Sequence, residues 1–305
     1  MANSASRAAS TARLVAELLA RCRFPPAGTE VTAAVSGGAD SSALLALAVE
    51  AGCAVTAVHV DHALRPGSDR EADVVAALTK RLGARFIARR AVVAPGPNLE
   101  ARARAARRAV LPEGAMTGHT ADDQAETVVL NLLRGAGLDG LAGIRPGPTK
   151  PLLGLRRAET VALCASRGIE ALDDPTNADL GLRRNRVRHE VLPLLDRVAE
   201  RDVAAVIARS AALLHDDARL LDELAAGLDP TDASALVGAP VPLARRALRR
   251  WLSTEMPPHP PDGATVERVL AVAQGVWRAT EVGAGWRVAR RAGWLRLEPS
   301  PSGER

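Results

Sequence analysis

Val31-Thr32-Ala33-Ala34-Val35-Ser36-Gly37-Gly38-Ala39-Asp40-Ser41 decides the reading of this chain. Val31 to Val35 reads as a short buried strand, and Ser41 to Ala51 as a helix. Between them two adjacent glycines let the backbone turn tightly and approach a ligand closely. A strand that turns through glycine into a helix gathers successive N–H groups and the positive end of a helix dipole at one spot, which suits a pyrophosphate. No Gly-Lys-Ser/Thr follows, so this is not a Walker A loop. An ordinary strand-to-helix turn explains a lone glycine pair equally well, so the surrounding sequence must discriminate.

Working outward, the chain alternates. Leu14, Val15, Leu18 and Leu19 predict an amphipathic first helix, closed by Pro25-Pro26. After the loop come a valine-rich strand from Ala54 to Val60, a helix capped by Ser68 through Leu82, and a strand from Arg85 to Val93. Asn98 caps an arginine-rich helix to Leu111; a short fourth strand from Ala115 to Gly118 and a helix from Ala121 to Arg134 follow. This order predicts an α/β fold with a parallel sheet and right-handed crossovers, its ligands at the carboxyl ends of the strands. The glycine- and proline-rich run from Gly135 to Pro151 breaks the pattern, and Arg156 to Gly168 and Val187 to Leu195 read as helices. Beyond Arg197 the chain is leucine-rich and helical to Leu252. Then come Pro257, Pro258, Pro260 and Pro261, one more helix, and a hairpin carrying Trp286 and Trp294. Two domains are expected, 1–205 and a smaller, mainly helical 206–305.

Composition narrows the partners. The net charge of +5 comes with only two lysines, Lys80 and Lys150, among 40 basic residues. Guanidinium offers a planar, bidentate fork for phosphates and base edges, although a compositional bias across a solvated surface also produces arginines. Aromatic residues are 2% and tyrosine is absent, so nucleic-acid recognition must be mainly polar. Cys22, Cys53 and Cys164 are scattered without a C-x-x-C pair, which excludes a zinc knuckle and a disulfide framework and suggests a reduced, cytoplasmic chain. Charges interrupt the N-terminal stretch, so no signal peptide is expected, and no apolar run is long enough for a membrane span.

Three further motifs carry polar groups at strand ends or helix starts. His59-Val60-Asp61-His62-Ala63-Leu64-Arg65, with Ser68 and Glu71 after it, ends the second strand. Gly118-His119-Thr120-Ala121-Asp122-Asp123-Gln124-Ala125-Glu126-Thr127 runs from the fourth strand into a helix. Asp123 and Glu126, three apart, share one helix face there and can hold an ammonium, while Asp122 fits simple complementation of the helix dipole. Pro151-Leu152-Leu153, Arg156, Asp174-Pro175-Thr176-Asn177 and Arg184-Asn185-Arg186-Val187-Arg188 form the last constellation. Its arginines make a phosphate- or base-reading edge or a solvated run.

Ser36 to Ser41 as a whole resembles the pyrophosphate loop (PP-loop) of the N-type ATP pyrophosphatases. With the other motifs, from about Val31 to Leu195, the chain resembles the tRNA(Ile)-lysidine synthases of that superfamily. The resemblance implies a Rossmann-like sheet with a PP-loop, followed by a smaller helical domain. It implies ATP and Mg2+ as cofactors, and L-lysine and tRNA(Ile) with a CAU anticodon as partners. The activity implied is ligation of lysine to the wobble cytidine through an adenylated intermediate, which changes codon specificity from AUG to AUA. Ser36, Gly37, Gly38, Ala39, Asp40, Ser41, His59 and Asp61 are then ATP contacts, and Asp40 the metal contact. Asp123 and Glu126 bind lysine and act catalytically with Asp40. Arg104, Arg107, Arg184, Arg186 and Arg188 touch tRNA. Where the family commonly has an Arg-Tyr pair, this chain has Arg107-Arg108, which removes the tyrosine ring from that position. Many members carry a further C-terminal domain, which is not expected within these residues. The alternatives are a tRNA thiolase, for which the cysteines supply no catalytic or cluster set, or an amidotransferase synthetase within the superfamily, and a non-catalytic tRNA-binding protein outside it. Oligomeric state stays open, a homodimer included.

Overall fold

The computed structural model describes residues 2–61, 69–93, 99–173, 175–257 and 261–300. The chain divides into two compact units, Met1–Leu214 and His215–Arg305.

The first unit begins with α1 (Ala2–Leu19), which buries Val15 and Leu18. It continues through β1 (Glu30–Ala34), α2 (Ala39–Glu50), β2 (Ala54–Asp61), α3 (Asp69–Arg81), β3 (Arg85–Arg90) and α4 (Leu99–Val110). The three strands are parallel in the order β1-β2-β3. From Ala43 to Val49 α2 is apolar all round, as a helix buried on every side must be: Ser41 through Ala48 are buried, and Leu44, Leu45 and Leu47 are closed off from solvent. These leucines join Val55, Ala57, Leu152, Leu155 and Leu163 in the core. Truncating one to alanine is expected to cost about 2–5 kcal/mol.

The expected fourth strand reduces to one parallel bridge, Ala33 to Met116, on the free edge of β1. A turn closed by the Ala115 N–H on Pro112 delivers the chain at Met116. The Thr117 N–H then donates to Thr149 at 3.0 Å, so the ladder stops after one residue. α5 (Ala121–Leu132), α6 (Leu138–Leu141) and α7 (Arg157–Ser166) follow. From Arg183 to Ala199 the chain is continuously helical, as α8 (Arg183–Arg186), a π-helical segment (Val187–Val191) and α9 (Leu192–Ala199). α10 (Val203–Ala226) runs across the boundary between the units.

The second unit adds α11 (Ala233–Gly238), α12 (Val241–Glu255), α13 (Gly263–Ala273), β4 (Ala279–Gly283), β5 (Trp286–Arg291) and β6 (Trp294–Pro299). Its core holds Leu236, Leu248, Leu252, Val269 and Val288. Asp262 restarts the helix after the prolines by accepting the Thr265 N–H at 2.7 Å. The expected hairpin is β5 and β6, but β4 pairs antiparallel with β5 to make a three-stranded sheet. Among the described residues, no helix is long and apolar enough to cross a membrane.

Candidate active site

The chain steps outward from β1 to β3 and then returns through α4 to the opposite edge of β1 at Met116. That reversal leaves a crevice at the carboxyl ends of β1 and the Met116 bridge, where ligands of open α/β sheets bind. Residues 36–41 fill its edge. Gly37 has φ +90°, a left-handed conformation that glycine adopts without strain. Its carbonyl accepts the Leu172 N–H at 2.9 Å and the Ser42 hydroxyl at 3.2 Å. The Ser41 hydroxyl accepts the Ser36 N–H at 3.2 Å and donates to the Gly38 carbonyl at 2.9 Å. The loop is therefore braced by its own serines. Gly38 leads into α2 with no side-chain cap, so the first N–H groups of that helix face the crevice without a capping side chain. On the other lip Gly118 has no alternative residue, since a Cβ there would lie 2.6 Å from the Asp40 carbonyl oxygen and 3.0 Å from the Ser41 nitrogen.

Asp40, Asp123 and Glu126 come together here, from the first turn of α2 and the first two turns of α5, around three arginines. Arg157, in the first turn of α7, reaches Asp40 Oδ2 at 3.1 Å through Nε, Asp123 Oδ1 at 2.9 Å through Nη2 and Glu126 Oε1 at 3.1 Å through Nη1. Arg184 donates to Glu126 Oε2 at 2.6 Å and Asp123 Oδ1 at 2.9 Å, and Arg188 to Glu126 Oε1 at 2.6 Å. Glu126 is 0% exposed. Three carboxylates facing three guanidinium groups offset the desolvation that each charge would suffer alone.

The two aspartates respond differently. Burial pushes both up; at Asp123 the charges of Arg157 and Arg184 and the Thr120 N–H at 2.7 Å outweigh it and hold the carboxyl below its ordinary range. At Asp40 burial wins over the Thr160 hydroxyl and Arg157, and the carboxyl is raised. Asp122 stands apart: its carboxylate takes a bidentate pair from Arg156, at 3.0 and 2.8 Å, and the Arg157 N–H at 2.7 Å. It pins α5 to the start of α7 and so orients Arg157.

His59, two residues before the end of β2, is buried, with Nδ1 2.9 Å from the Val35 carbonyl, which ties β2 to the strand that launches the loop. Its Nε2 is buried without a hydrogen-bond partner. Asp61 closes β2 in register with Arg90. Arg107 lies in the last turn of α4. Of the arginines expected along tRNA, Arg184 and Arg188 turn inward to the carboxylates, and Arg186 is exposed beside Glu190. The Arg104 side chain, His62, Arg65, Ser68, Asn98 and Asp174 lie outside the described residues. Sequence reasoning missed Arg157 and Thr160 altogether, and gave no role to His119, Thr117 or Lys150. Arg157 follows an arginine already singled out, and nothing in the local pattern separates the two.

A cation would find hard carboxylate oxygens at Asp40, with Asp123 close enough to influence it. Among the described residues no three His, Cys, Asp or Glu groups form a metal cage. That donor set fits Mg2+ in the mode where phosphates and water supply most ligands.

A family model described as a PP-loop domain matches residues 9–195, which agrees with the class that the braced loop and the sheet reversal define. A tRNA(Ile)-lysidine synthase of Nocardia farcinica is 44% identical over 245 residues, covering 75% of this chain and 77% of its own. One of Cutibacterium acnes is 40% identical over 287 residues, covering 86% and 89%. The chain belongs to the tRNA(Ile)-lysidine synthase family. Among solved structures, the U34-tRNA thiolase NcsA from Methanococcus maripaludis shares the fold, with TM-score 0.54, 18% identity, and coverage of 69% of this chain and 79% of its own.

Proposed function

We propose that this chain joins lysine to the wobble cytidine of tRNA(Ile) with a CAU anticodon, at the expense of ATP. The observation that carries the reading is the meeting of two kinds of group in one crevice: a braced glycine loop at a helix N-terminus, and the paired carboxylates Asp123 and Glu126 on α5. The loop suits the phosphates of ATP; the carboxylates suit the ammonium of lysine.

In the first step the cytosine O2 attacks the α-phosphorus and pyrophosphate leaves, its charge met by the loop N–H groups and the α2 dipole. Mg2+ held by Asp40 would neutralise phosphate charge when bound. In the second step the lysine ε-amine attacks C2 and AMP leaves. The ammonium has an ordinary pKa of about 10.4 and must first give up a proton. Asp123 is held low by its arginines, and it becomes free to take the ammonium, and a stronger base, only as they withdraw. Lysine therefore has to displace Arg157, Arg184 or Arg188 from the carboxylates it takes. An unpaired cytosine of an anticodon loop can be splayed into such a crevice, whereas a stacked base cannot. We place this work in the cytoplasm, with the tRNA.

The test is nucleoside mass analysis of tRNA(Ile) after incubation with the chain, ATP and lysine. Lysidine in the digest is the expected result; an unmodified cytidine would overturn the assignment.

A further inference from the structure

Lys150 Nζ donates to Thr117 Oγ1 at 2.8 Å, and Thr117 Oγ1 lies 2.7 Å from His119 Nδ1. An ammonium can only donate, so it uses a lone pair of the hydroxyl and leaves the hydroxyl proton for another acceptor. His119 Nδ1 is the one acceptor that the Thr117 hydroxyl reaches among the described residues. The hydroxyl therefore donates into the Nδ1 lone pair, and the ring's remaining proton sits on Nε2. That N–H meets no acceptor among the described residues. The residue before it abuts the loop backbone at Asp40, and Asp123 lies close enough to influence the ring.

Lys150 is one of two lysines in a chain where almost every other cation is arginine. A compact ammonium makes the single contact this position needs, whereas a guanidinium fork would bring further donors into a half-buried place.

We propose that Lys150, Thr117 and His119 form a built donor chain, in which Lys150 and Thr117 are positioning residues and His119 presents a neutral Nε2–H to an anionic phosphate oxygen of the bound nucleotide. This deepens the adenylation reading and rests on it. His119 keeps its proton and acts as a donor, not as a base. Asp123 favours a charged ring, while burial, Lys150, Arg184 and Arg107 oppose it; burial leads, and the ring is driven down to about 4. Lys150 itself is lowered by burial and by Arg107 and Arg108.

The test reads the ring in the full chain. Long-range 1H–15N correlations, with His119 assigned by the signal lost in His119→Gln, are expected to show Nδ1 bare and Nε2 protonated at neutral pH. The ring should not titrate around the ordinary histidine value of about 6.5. A protonated Nδ1, or titration near that value, overturns the proposal. Thr117→Val removes the hydroxyl and should mix the tautomers and lower kcat of tRNA-dependent ATP–pyrophosphate exchange about tenfold, while Thr117→Ser restores both. Equal losses in both variants, or none in Thr117→Val, also overturn it. Should the valine variant fail to fold, Lys150→Met read by the same tautomer signals takes its place. No exchange in the unaltered chain would instead sink the adenylation reading, and the ring's tautomer would still judge the donor chain.

Discussion

Exposed arginine–carboxylate pairs occur in both units of this chain, and the buried cluster at Glu126 is a different object. In the second unit Arg219 and Glu223 meet at 3.1 Å with side chains 64% and 61% exposed, and Arg245 meets Glu267 at 2.5 Å in similar exposure. In the first unit Glu126 is shut off from solvent and accepts from three guanidinium groups at once. Exposed pairs contribute about 0–1 kcal/mol, because water and lost side-chain freedom offset the attraction. A buried pair stripped of one partner leaves an uncompensated charge and costs about 3–5 kcal/mol. Pairing alone therefore marks nothing; charge concentrated out of water marks the site.

The comparison can be broken most forcefully at Glu126. Glu126→Ala should destabilise the chain by about 3–5 kcal/mol in urea unfolding, and a loss under 1 kcal/mol would make the cluster equivalent to surface pairs. Asp40→Ala is expected to behave oppositely, leaving stability near that of the parent because it removes a carboxylate that burial penalises. Its AMP formation should fall by about 10²–10³, or 2.7–4 kcal/mol of barrier, and unchanged AMP formation would strip Asp40 of its role. Asp123→Asn should weaken lysine use roughly tenfold to 150-fold, by loss of one charge-assisted contact worth about 1.5–3 kcal/mol, with adenylation much less affected. Equal loss in both half-reactions would move the lysine site elsewhere.

The same residue sharpens the comparison through pH. A carboxyl held low in the folded state contributes stability that is complete above the ordinary aspartate value of about 3.9 and disappears as pH falls through its lower folded value. The stability gap between the parent and Asp123→Asn should thus be flat at neutral pH and close as pH falls below about 3.9 and through the lower folded value. Asp40 works the other way, its raised carboxyl costing stability as pH rises from about 3.9 through the folded value.

The smallest effects belong to exposed charges. Arg186→Ala should flatten the salt dependence of tRNA binding by about 0.7–0.9 in slope if that residue meets a phosphate, and an unchanged slope would return it to the solvated surface. Glu223→Ala should cost only about 0.3–0.5 kcal/mol; a cost approaching that of Glu126→Ala would erase the distinction between exposed pairs and the buried cluster.

How much of this could be read in advance follows from what each signal depends on. The strand–helix alternation and the glycine loop are local patterns, and β1, α2 and β2 lie where the periodicity puts them. The fourth strand was legible only as apolar residues; that Thr149 would take the Thr117 N–H and end the ladder is a tertiary fact. β4 stayed hidden because Ala-Thr-Glu-Val-Gly is short, ends in glycine and shows no bulky alternation. The inward turn of Arg184 and Arg188 did leave a trace. They stand four apart, on one helical face, while Arg186 between them lies on another. Reading the three as one edge missed that division.

The balance at the crevice also bears on the kinetics of encounter. Three carboxylates and three guanidinium groups cancel at a distance, so a small cation diffusing toward Asp123 and Glu126 feels little net field from this cluster. Electrostatic steering then contributes little to its association rate, and added salt should slow its arrival only slightly. A polyanion approaching the arginine-rich surface is in the opposite regime, drawn in over a long range that salt shortens.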